Sequence, residues 1–323
     1  MPLVLSRRLV ILALIPLAAF AFRAHGDEAA PPKEFALPEP LQPLFKGTTS
    51  LNPQGTVALD KQEGRVLLKT RVCLREGLLE MLLCKSRTKE HESILTVDSD
   101  AYVIHAGLLA IGAKSGTPVR FQPDFQPPQG DALEVWLNWV DESGKAQRIE
   151  AQQWVRGLTR RYYVEKIGPL PQGLKLPKES DLKYDAAEQE LIWFGPMTDA
   201  KRDELLKLST GEAYQKAIRA MHADSQVRGM EADFVFAGSG FHESQDGTKW
   251  YQAEAGNLIC VANFGDAMID VSIRSSDVNS EASFEPWTER VPPLGTPVVV
   301  ELRPAAMDDD KQAAQKPDAP AQP

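Results

Sequence analysis

Residues 80–105 contain side chains whose types and spacing could do chemistry. Carboxylate, thiol, amine and imidazole groups occur there together, at Glu80, Cys84, Lys89, Glu90, His91, Glu92 and His105. A histidine beside a carboxylate titrates near neutral pH and suits general acid/base catalysis. Histidine and cysteine are also zinc ligands, so His91, His105 and Cys84 are weak candidate metal ligands. The closely paired ligand spacing of a zinc site is absent, and the sequence therefore predicts no metal and no other cofactor.

Three interpretations of this cluster stay open. In the first, it binds an organic ligand or a protein partner. In the second, His91 and Glu92 act as acid and base in a hydrolase, with or without a metal ion. In the third, it is structural, and Glu90 or Glu92 pairs with Lys89 or Arg71. His105 is then a buried histidine bonded to the backbone. An extended segment would point His91 away from both carboxylates, which does not favour one shared metal.

The segment 236–241 adds two candidate site residues, Gly238 and Ser239. Its sequence, Phe-Ala-Gly-Ser-Gly-Phe, lacks the Gly-x-Ser-x-Gly spacing of a nucleophile elbow. Small residues of this kind favour a bulge or a close backbone approach. Ser239 also stays a candidate ligand contact, and in the enzyme alternative Ser239 or Cys84 would have to lie in one accessible pocket with His91 and a carboxylate.

A predicted β-hairpin positions the first part of the cluster. Residues 66–74 alternate apolar and polar side chains, and residues 79–83 continue the pattern across a two-residue turn at Glu76 and Gly77. In that register Cys73 and Cys84 lie about four residues apart along the ladder, roughly 13 Å, which is too far for a disulfide. A pairing of Cys84 with Cys260 stays open.

A strand at 93–97 and a helix at 100–114 are predicted to follow. Asp98 and Ser99 are candidate N-caps, and Ser115 with Gly116 would end the helix. The helix is apolar nearly all round, which predicts a buried central helix that carries His105.

The second half of the chain predicts more strands and an insertion. A hairpin is expected at 131–152, with Trp136 and Trp139 on opposite faces of its first strand, an arrangement that does not favour a tryptophan platform for sugars. Residues 155–228 change in character and predict helices at 199–208 and 211–225, the second capped by Thr210. Together these patterns predict an α+β fold, mostly antiparallel sheet with one buried central helix and a helical insertion.

The N-terminus has the layout of a secretory signal peptide over residues 1–26. Arg7 and Arg8 precede an uncharged apolar run that is short for a membrane span, and a small-residue cleavage site follows. We predict export to the periplasm or beyond, by the general or the twin-arginine route. The alternative is that residues 1–26 stay uncleaved as a membrane anchor. We expect no other contact with the membrane.

Three further regions follow the signal peptide. Proline-rich residues 27–45 predict an extended linker. Residues 46–303 predict the folded domain, with the insertion at about 155–228, and residues 304–323 predict a disordered acidic and Pro/Ala tail.

The charge balance limits the partners. The chain has 45 acidic and 36 basic residues and a formal net charge of −9, and loss of residues 1–26 would remove three arginines and leave −12. Neutralising phosphates needs clustered lysine and arginine, and no such run occurs. We therefore predict no nucleic-acid partner.

The central motif resembles a known family. Leu79-Glu80 and Leu83-Cys84 are followed by Thr-Lys-Glu-His-Glu-Ser at 88–93 and His-Ala-Gly-Leu-Leu-Ala-Ile-Gly at 105–112. This order resembles the YdjY-like domain of bacterial exported proteins, and 236–241 and 251–263 fit the same pattern. The resemblance covers roughly residues 60–271 outside 155–228. It implies a domain and a compartment, because the family has no established activity. Some relatives are associated with iron–sulfur proteins, yet three scattered cysteines cannot hold a cluster.

Together these observations predict an exported, non-catalytic module of the cell envelope that binds a ligand or a protein partner. We expect its site where residues 89–92, Cys84, His105 and Gly238 converge.

Overall fold

The computed structural model describes residues 36–158, 160–176, 179–274 and 283–305. The predicted signal peptide, the first part of the predicted linker and nearly all of the predicted tail lie outside these residues. Within the described ranges, no helix combines the length and the apolar character that crossing a membrane requires.

The described chain is mostly β-strand. In chain order the strands are β1 (Thr49–Ser50), β2 (Val57–Asp60), β3 (Arg65–Val72), β4 (Met81–Lys85), β5 (Ser93–Val97), β6 (Ser115–Thr117), β7 (Gln129–Gly130), β8 (Ala132–Val140), β9 (Ala146–Glu150), β10 (Val155–Gly157), β11 (Tyr162–Lys166), β12 (Leu182–Asp185), β13 (Glu190–Phe194), β14 (Phe234–Val235), β15 (Phe241–Glu243), β16 (Lys249–Tyr251), β17 (Ile259–Cys260), β18 (Asp270–Val271), β19 (Phe284–Pro286) and β20 (Pro297–Pro304). The α-helices are α1 (Ala101–Ala110), α2 (Asp199–Leu206) and α3 (Glu212–Asp224). The 3-10 helices are η1 (Glu39–Phe45), η2 (Glu90–Glu92), η3 (Ala151–Trp154) and η4 (Gln252–Ala255).

One sheet of 11 strands dominates the fold. Its path runs β17-β4-β5-β3-β20-β8-β14-β18, and β1, β2 and β9 attach beside it. Its pairs are antiparallel except β4 with β5, which run parallel. A parallel bridge between Ile259 and Ile269 links the two ends of the path, so the sheet nearly closes on itself. This arrangement confirms the predicted α+β class with a mostly antiparallel sheet.

The hairpin predicted over residues 66–83 is wrong. Strand β5 lies between β3 and β4, and Leu95 pairs with Val72 on one side and with Leu83 on the other. Residues Met81–Lys85 are buried almost throughout, so β4 needs a neighbour on both sides and cover on both faces. The turn at Glu76 and Gly77 therefore does not pair β3 with β4, because both strands pair with the more distant β5.

The hairpin predicted at 131–152 is confirmed. β8 pairs with β9 in antiparallel orientation. Trp139 packs edge-to-face on the fully buried Trp154, with ring centroids 5.1 Å apart. The Arg148 guanidinium lies over the Trp136 ring, with its Cζ atom 3.7 Å from the ring centroid. The two tryptophans of β8 thus serve opposite faces, as the sequence predicts.

The helix predicted at 100–114 is shorter and less buried than expected. α1 ends at Ala110, because Gly112 takes a left-handed φ of 91°. Ile104 and Leu108 are buried against the sheet, whereas Tyr102 is exposed. The helix therefore has one packed side and one open side, and the open side forms part of the site described below.

The insertion has its own core. Strands β11, β13 and β12 form a three-stranded sheet, and α2 and α3 share apolar contacts with it. Thr198 caps α2 by accepting from the Lys201 N–H, and α3 follows Gly211 rather than the predicted cap Thr210. The two helices are present near the predicted positions, and the sheet beside them was not predicted.

The end of the proline-rich segment is packed rather than extended. Glu39–Phe45 forms the 3-10 helix η1, and its Leu41 is buried in a cluster with Leu67 and Val299. Proline fits the first turn of a helix, where its missing N–H leaves no bond unmade. Apolar side chains on one side of η1 then hold it against the sheet.

Candidate functional site

The motif at 88–93 forms a charged turn on the surface and not the extended segment predicted. Lys89 Nζ lies 3.4 Å from Glu80 Oε2 and 3.2 Å from Glu92 Oε1. The His91 side chain is 75% exposed, with Nε2 3.7 Å from Glu92 Oε2. The lysine and two of the predicted carboxylates therefore pair with each other, as the structural interpretation expects.

The charges of this turn satisfy one another. Burial, followed by the hydrogen bond and charge of Glu92, raises the pKa of Glu80, against the opposing effect of Lys89. Burial acts to lower the pKa of Lys89, but the hydrogen bonds and charges of the two carboxylates outweigh it, so that pKa is raised. The Glu90 carboxylate instead accepts the backbone N–H of Arg87. The lysine stays charged and is unsuited to act as a base.

The thiols of Cys73 and Cys84 lie close enough for each to shift the pKa of the other. Cys73 Sγ donates its one proton to the Ser93 carbonyl over 3.0 Å. The interaction with the Cys73 thiol has the largest effect on the pKa of Cys84 and lowers it to about 7. The predicted separation of the sulfurs is wrong, because the two chains flank β5 instead of each other. Both thiols are free.

Cys84 does not reach the surface. It is fully buried in an apolar cluster with Cys260, Met81 and Ala267. Burial raises the pKa of Cys260, and this thiol is also free. Neither cysteine is placed to attack a ligand in solution.

His105 belongs to a second group of residues. Its Nδ1 lies 2.8 Å from the Tyr251 hydroxyl, which donates to the Gly238 carbonyl over 3.0 Å. Since the hydroxyl has one proton and gives it to Gly238, the proton of the imidazole is on Nδ1. Burial lowers the pKa of His105, and its ring packs against Phe236 with centroids 4.9 Å apart. The histidine is a neutral support for Tyr251.

The turn at 238–240 is shaped by close backbone contacts. A Cβ on Gly238 would lie 2.7 Å from the Ser115 Cβ, and φ is 86° there. Ser239 also has a positive φ, 56°, and its hydroxyl donates to the Asp266 carbonyl over 2.7 Å. The hydroxyl proton is committed to that bond, and the segment makes the close approach that its small residues predict.

We expect Tyr251→Phe to destabilise the protein by about 1–3 kcal/mol, because the buried Gly238 carbonyl and the His105 Nδ1–H would both lose their partner. Chemical unfolding followed by tryptophan fluorescence measures the change. Tyr162→Phe is the control, since that side chain is 53% exposed and its change should stay within about 0.5 kcal/mol. Equal effects of both substitutions would contradict the assigned role of the hydroxyl.

Residues that the sequence analysis did not single out line an open groove of about 480 Å³ beside the N-terminus of α1. The groove is lined by Lys85, Asp100, Tyr102, Phe241, Lys249, Trp250, Tyr251 and Glu254. Three of its aromatic side chains are exposed: Tyr102 by 57%, Phe241 by 70% and Trp250 by 44%. No spacing rule relates these residues, because they come from α1 and from the distant β15–β16 hairpin.

An ion-pair network forms the polar part of the groove. Lys85 Nζ lies 2.6 Å from Asp100 Oδ1 and 2.6 Å from Glu254 Oε2. The other oxygen of Glu254 accepts the Tyr102 N–H over 3.1 Å and so caps α1 from another part of the chain. Burial acts to lower the pKa of Lys85, but its bonds to the two carboxylates outweigh burial and raise it. The network is therefore charged and fixed in place.

A smaller cavity of about 320 Å³ lies elsewhere, beside the ion pairs of Arg156. Arg156 bonds Glu285 over 2.8 Å and lies 3.3 Å from Glu289. These pairs join β10 to β19 and the turn after it. Among the described residues, no aromatic side chain lines this cavity. The charges of Arg156, Glu285 and Glu289 are explained by that structural contact.

The structure therefore divides the predicted site residues into two groups. Glu80, Lys89, Glu90, His91 and Glu92 lie at the surface turn, with Cys84 buried below. His105, Gly238 and Ser239 lie with Tyr251 behind the groove. Within the described ranges, no hydrogen bond or ion pair joins the two groups, and none of the predicted residues lines the groove.

A metal site requires several ligand side chains around one point. Across the described parts of the chain, no three His, Cys, Asp or Glu side chains are placed to hold a metal ion. His91, His105 and Cys84 lie in the exposed turn, behind the groove and in the apolar cluster, respectively.

Comparison with known proteins gives a match to a domain family. Residues 57–161, about a third of the chain, match the family model of the YdjY domain, which confirms the resemblance for this segment. Neither curated proteins nor solved structures gave a match. The matched segment contains Lys85, Asp100 and Tyr102, whereas the opposite wall of the groove lies outside it.

Proposed function

We propose that the protein is a non-catalytic binding module of the bacterial cell envelope and that it binds a ligand in the groove between α1 and the β15–β16 hairpin. The supporting observation is the set of three exposed aromatic side chains around the fixed Lys85–Asp100–Glu254 network. Clustered exposed aromatic side chains are typical of binding sites, because leaving them in water has a free-energy cost. Location in the envelope rests on the signal-peptide layout of residues 1–26.

Acid/base catalysis has less support. His91 is largely exposed on a turn outside the groove, and its nearest carboxylate, Glu92, is paired with Lys89. The candidate nucleophiles are also poorly placed, since Cys84 is buried and the Ser239 hydroxyl donates to a backbone carbonyl. A catalytic site needs nucleophile, base and ligand space around one point.

The proposal is tested by letting the purified chain select from a soluble extract of bacterial cell envelope, with bound species identified by native mass spectrometry. We expect wild type to retain one ligand class, unchanged in mass, and Trp250→Ala to lose it. Phe194→Ala is the matched control, because Phe194 is 43% exposed but lies in the insertion. It should retain the same ligands as wild type.

Two outcomes would contradict the proposal. If wild type and Trp250→Ala retained the same species, the groove would not be the binding site. If the ligand returned with altered mass, and this alteration were lost in His91→Ala, the hydrolase interpretation would replace the binding module.

A further inference from the structure

We propose that the ligand of the groove is a carbohydrate, a short chain of neutral pyranose rings. This inference rests on the proposed function and specifies the class of ligand. Three independent features of the groove support it: its exposed aromatic side chains, its fixed donors and acceptors, and its balance of charge.

The aromatic side chains suit the apolar faces of sugar rings. Tyr102, Phe241 and Trp250 come from separate elements but line one groove. The Phe241 ring packs against the Tyr251 ring, with centroids 5.2 Å apart, and Tyr251 is held by its bonds to His105 and Gly238. A pyranose ring presents C–H groups on its faces, and such groups pack well on an aromatic ring. The hairpin thus offers stacking surfaces on a rigid support.

The polar network suits hydroxyl groups. Lys85 uses its ammonium group to bond Asp100 and Glu254, and an ammonium group has three donors in all. The Asp100 side chain remains half exposed and offers acceptor capacity to the groove. A vicinal pair of sugar hydroxyls both donates and accepts, so it can bond a lysine and a carboxylate held side by side. Because the network is already paired, little ordering cost accompanies binding.

The charges of the groove favour a neutral ligand. The lining contains two lysines, Lys85 and Lys249, and two carboxylates, Asp100 and Glu254, so it has no formal net charge. An anionic phosphate ligand would meet the carboxylates, and a cationic peptide would meet the lysines, which costs free energy in either case. The volume of about 480 Å³ lies within the range of ligand sites, about 300–1,000 Å³.

The test is calorimetric titration of the full chain with four β-1,4- or α-1,4-linked hexamers. Glucose and N-acetylglucosamine hexamers are neutral, the glucosamine hexamer is cationic and the galacturonate hexamer is anionic. We expect a neutral hexamer to bind most tightly, with little change between about 50 and about 500 mM salt because no charge pairing is screened. Trp250→Ala and Tyr102→Ala should each weaken binding at least about tenfold.

Matched variants separate loss of binding from loss of folding. Tyr162→Ala is the control for Tyr102→Ala, since the two tyrosines have similar exposure, 53% and 57%. Trp250→Phe keeps an aromatic face and should restore most of the affinity. Thermal unfolding of every variant should match wild type within a few degrees.

The carbohydrate class would be overturned if neither neutral hexamer bound, or if a charged hexamer bound more tightly than both. It would also be overturned if Tyr102→Ala and Tyr162→Ala had equal effects. Failure of every hexamer, while wild type still selects an envelope ligand through Trp250, would reject the carbohydrate and keep the binding module. Loss of that selection as well would reject both.

Discussion

We expect the wild-type protein to lose at most about 4 kcal/mol of unfolding free energy as the pH rises from 4 to 7, and we expect the Asp270→Asn variant not to show this loss. Asp270 lies in β18 with no solvent exposure. Its Oδ1 accepts from the Val271 N–H over 2.8 Å and from Asn263 Nδ2 over 3.1 Å. Its Oδ2 has no hydrogen-bond partner among the described residues. Burial therefore raises the pKa of this carboxyl group to about 7, in spite of the hydrogen bonds that favour its charged form.

The direction of the effect follows from proton linkage. The carboxyl group of Asp270 has a pKa raised in the folded chain from an ordinary value of 3.8 to about 7. The folded state therefore binds the proton more tightly than the unfolded state. Below about pH 4 the carboxyl group is protonated in both states, so the destabilisation caused by its charge is absent. Stability is lost as the pH rises from about 4 to about 7 and then stays constant. An asparagine cannot ionise, so the variant lacks this loss.

The measurement is the free energy of unfolding by urea at several pH values between 4 and 8, for wild type and Asp270→Asn. Other groups titrate in both proteins, so the difference between the two proteins carries the result. That difference should shift in favour of the variant as the pH rises. Asp98→Asn is the control, because Asp98 is exposed. A difference that stayed constant with pH would refute the burial of a protonatable Asp270.

The location of Asp270 gives this prediction a structural meaning. β18 is the last strand of the sheet path, and β17 is the first. The bridge between Ile269, next to β18, and Ile259, in β17, joins these two ends of the path. A charge at Asp270 therefore lies where the nearly closed sheet meets itself. The sheet closure should therefore be the part of the fold most sensitive to a rise in pH from about 4 to about 7.

Local patterns predicted local structure well. The β8–β9 hairpin was predicted because its turn, its alternation and its partner strand lie within 22 residues of chain, and the structure keeps them together. The predicted β3–β4 hairpin had an equally good turn, but β5 supplied a better partner for both strands. Sequence alternation shows which face of a strand is buried and does not show which strand lies beside it.

The groove could not be predicted for a similar reason. Tyr102 and Trp250 are separated by 148 positions, and an aromatic residue in a strand or helix normally indicates core. The predicted His105 and Gly238 lie directly behind the groove because both contact Tyr251. The sequence thus led to the support of the site, while the exposed side chains that line it required the tertiary structure.

Gly130→Ala should destabilise the protein by about 3–5 kcal/mol, because the backbone leaves no space for a side chain there. A Cβ on Gly130 would lie 2.0 Å from the Phe236 carbonyl oxygen, and φ is 142°. The same oxygen accepts a hydrogen bond from the Gly116 N–H over 2.9 Å. Gly116 is equally confined, because a Cβ on it would lie 2.0 Å from the Gln129 carbonyl oxygen. Relief of the clash therefore has to move the start of the 236–241 segment.

The displacement should reach the groove. Phe236 packs against His105, and Gly238, two residues later, accepts from Tyr251, whose ring lines the groove. We therefore expect Gly130→Ala to weaken ligand selection as well as folding, measured by urea unfolding and by the envelope selection. Gly157→Ala is the matched control, because a Cβ there would come no closer than 3.8 Å to the Arg228 carbonyl. Its free energy of unfolding should change by less than about 1 kcal/mol. If both alanines were tolerated alike, the backbone crossing of Gly116, Gly130 and Phe236 would not be what holds the groove in shape.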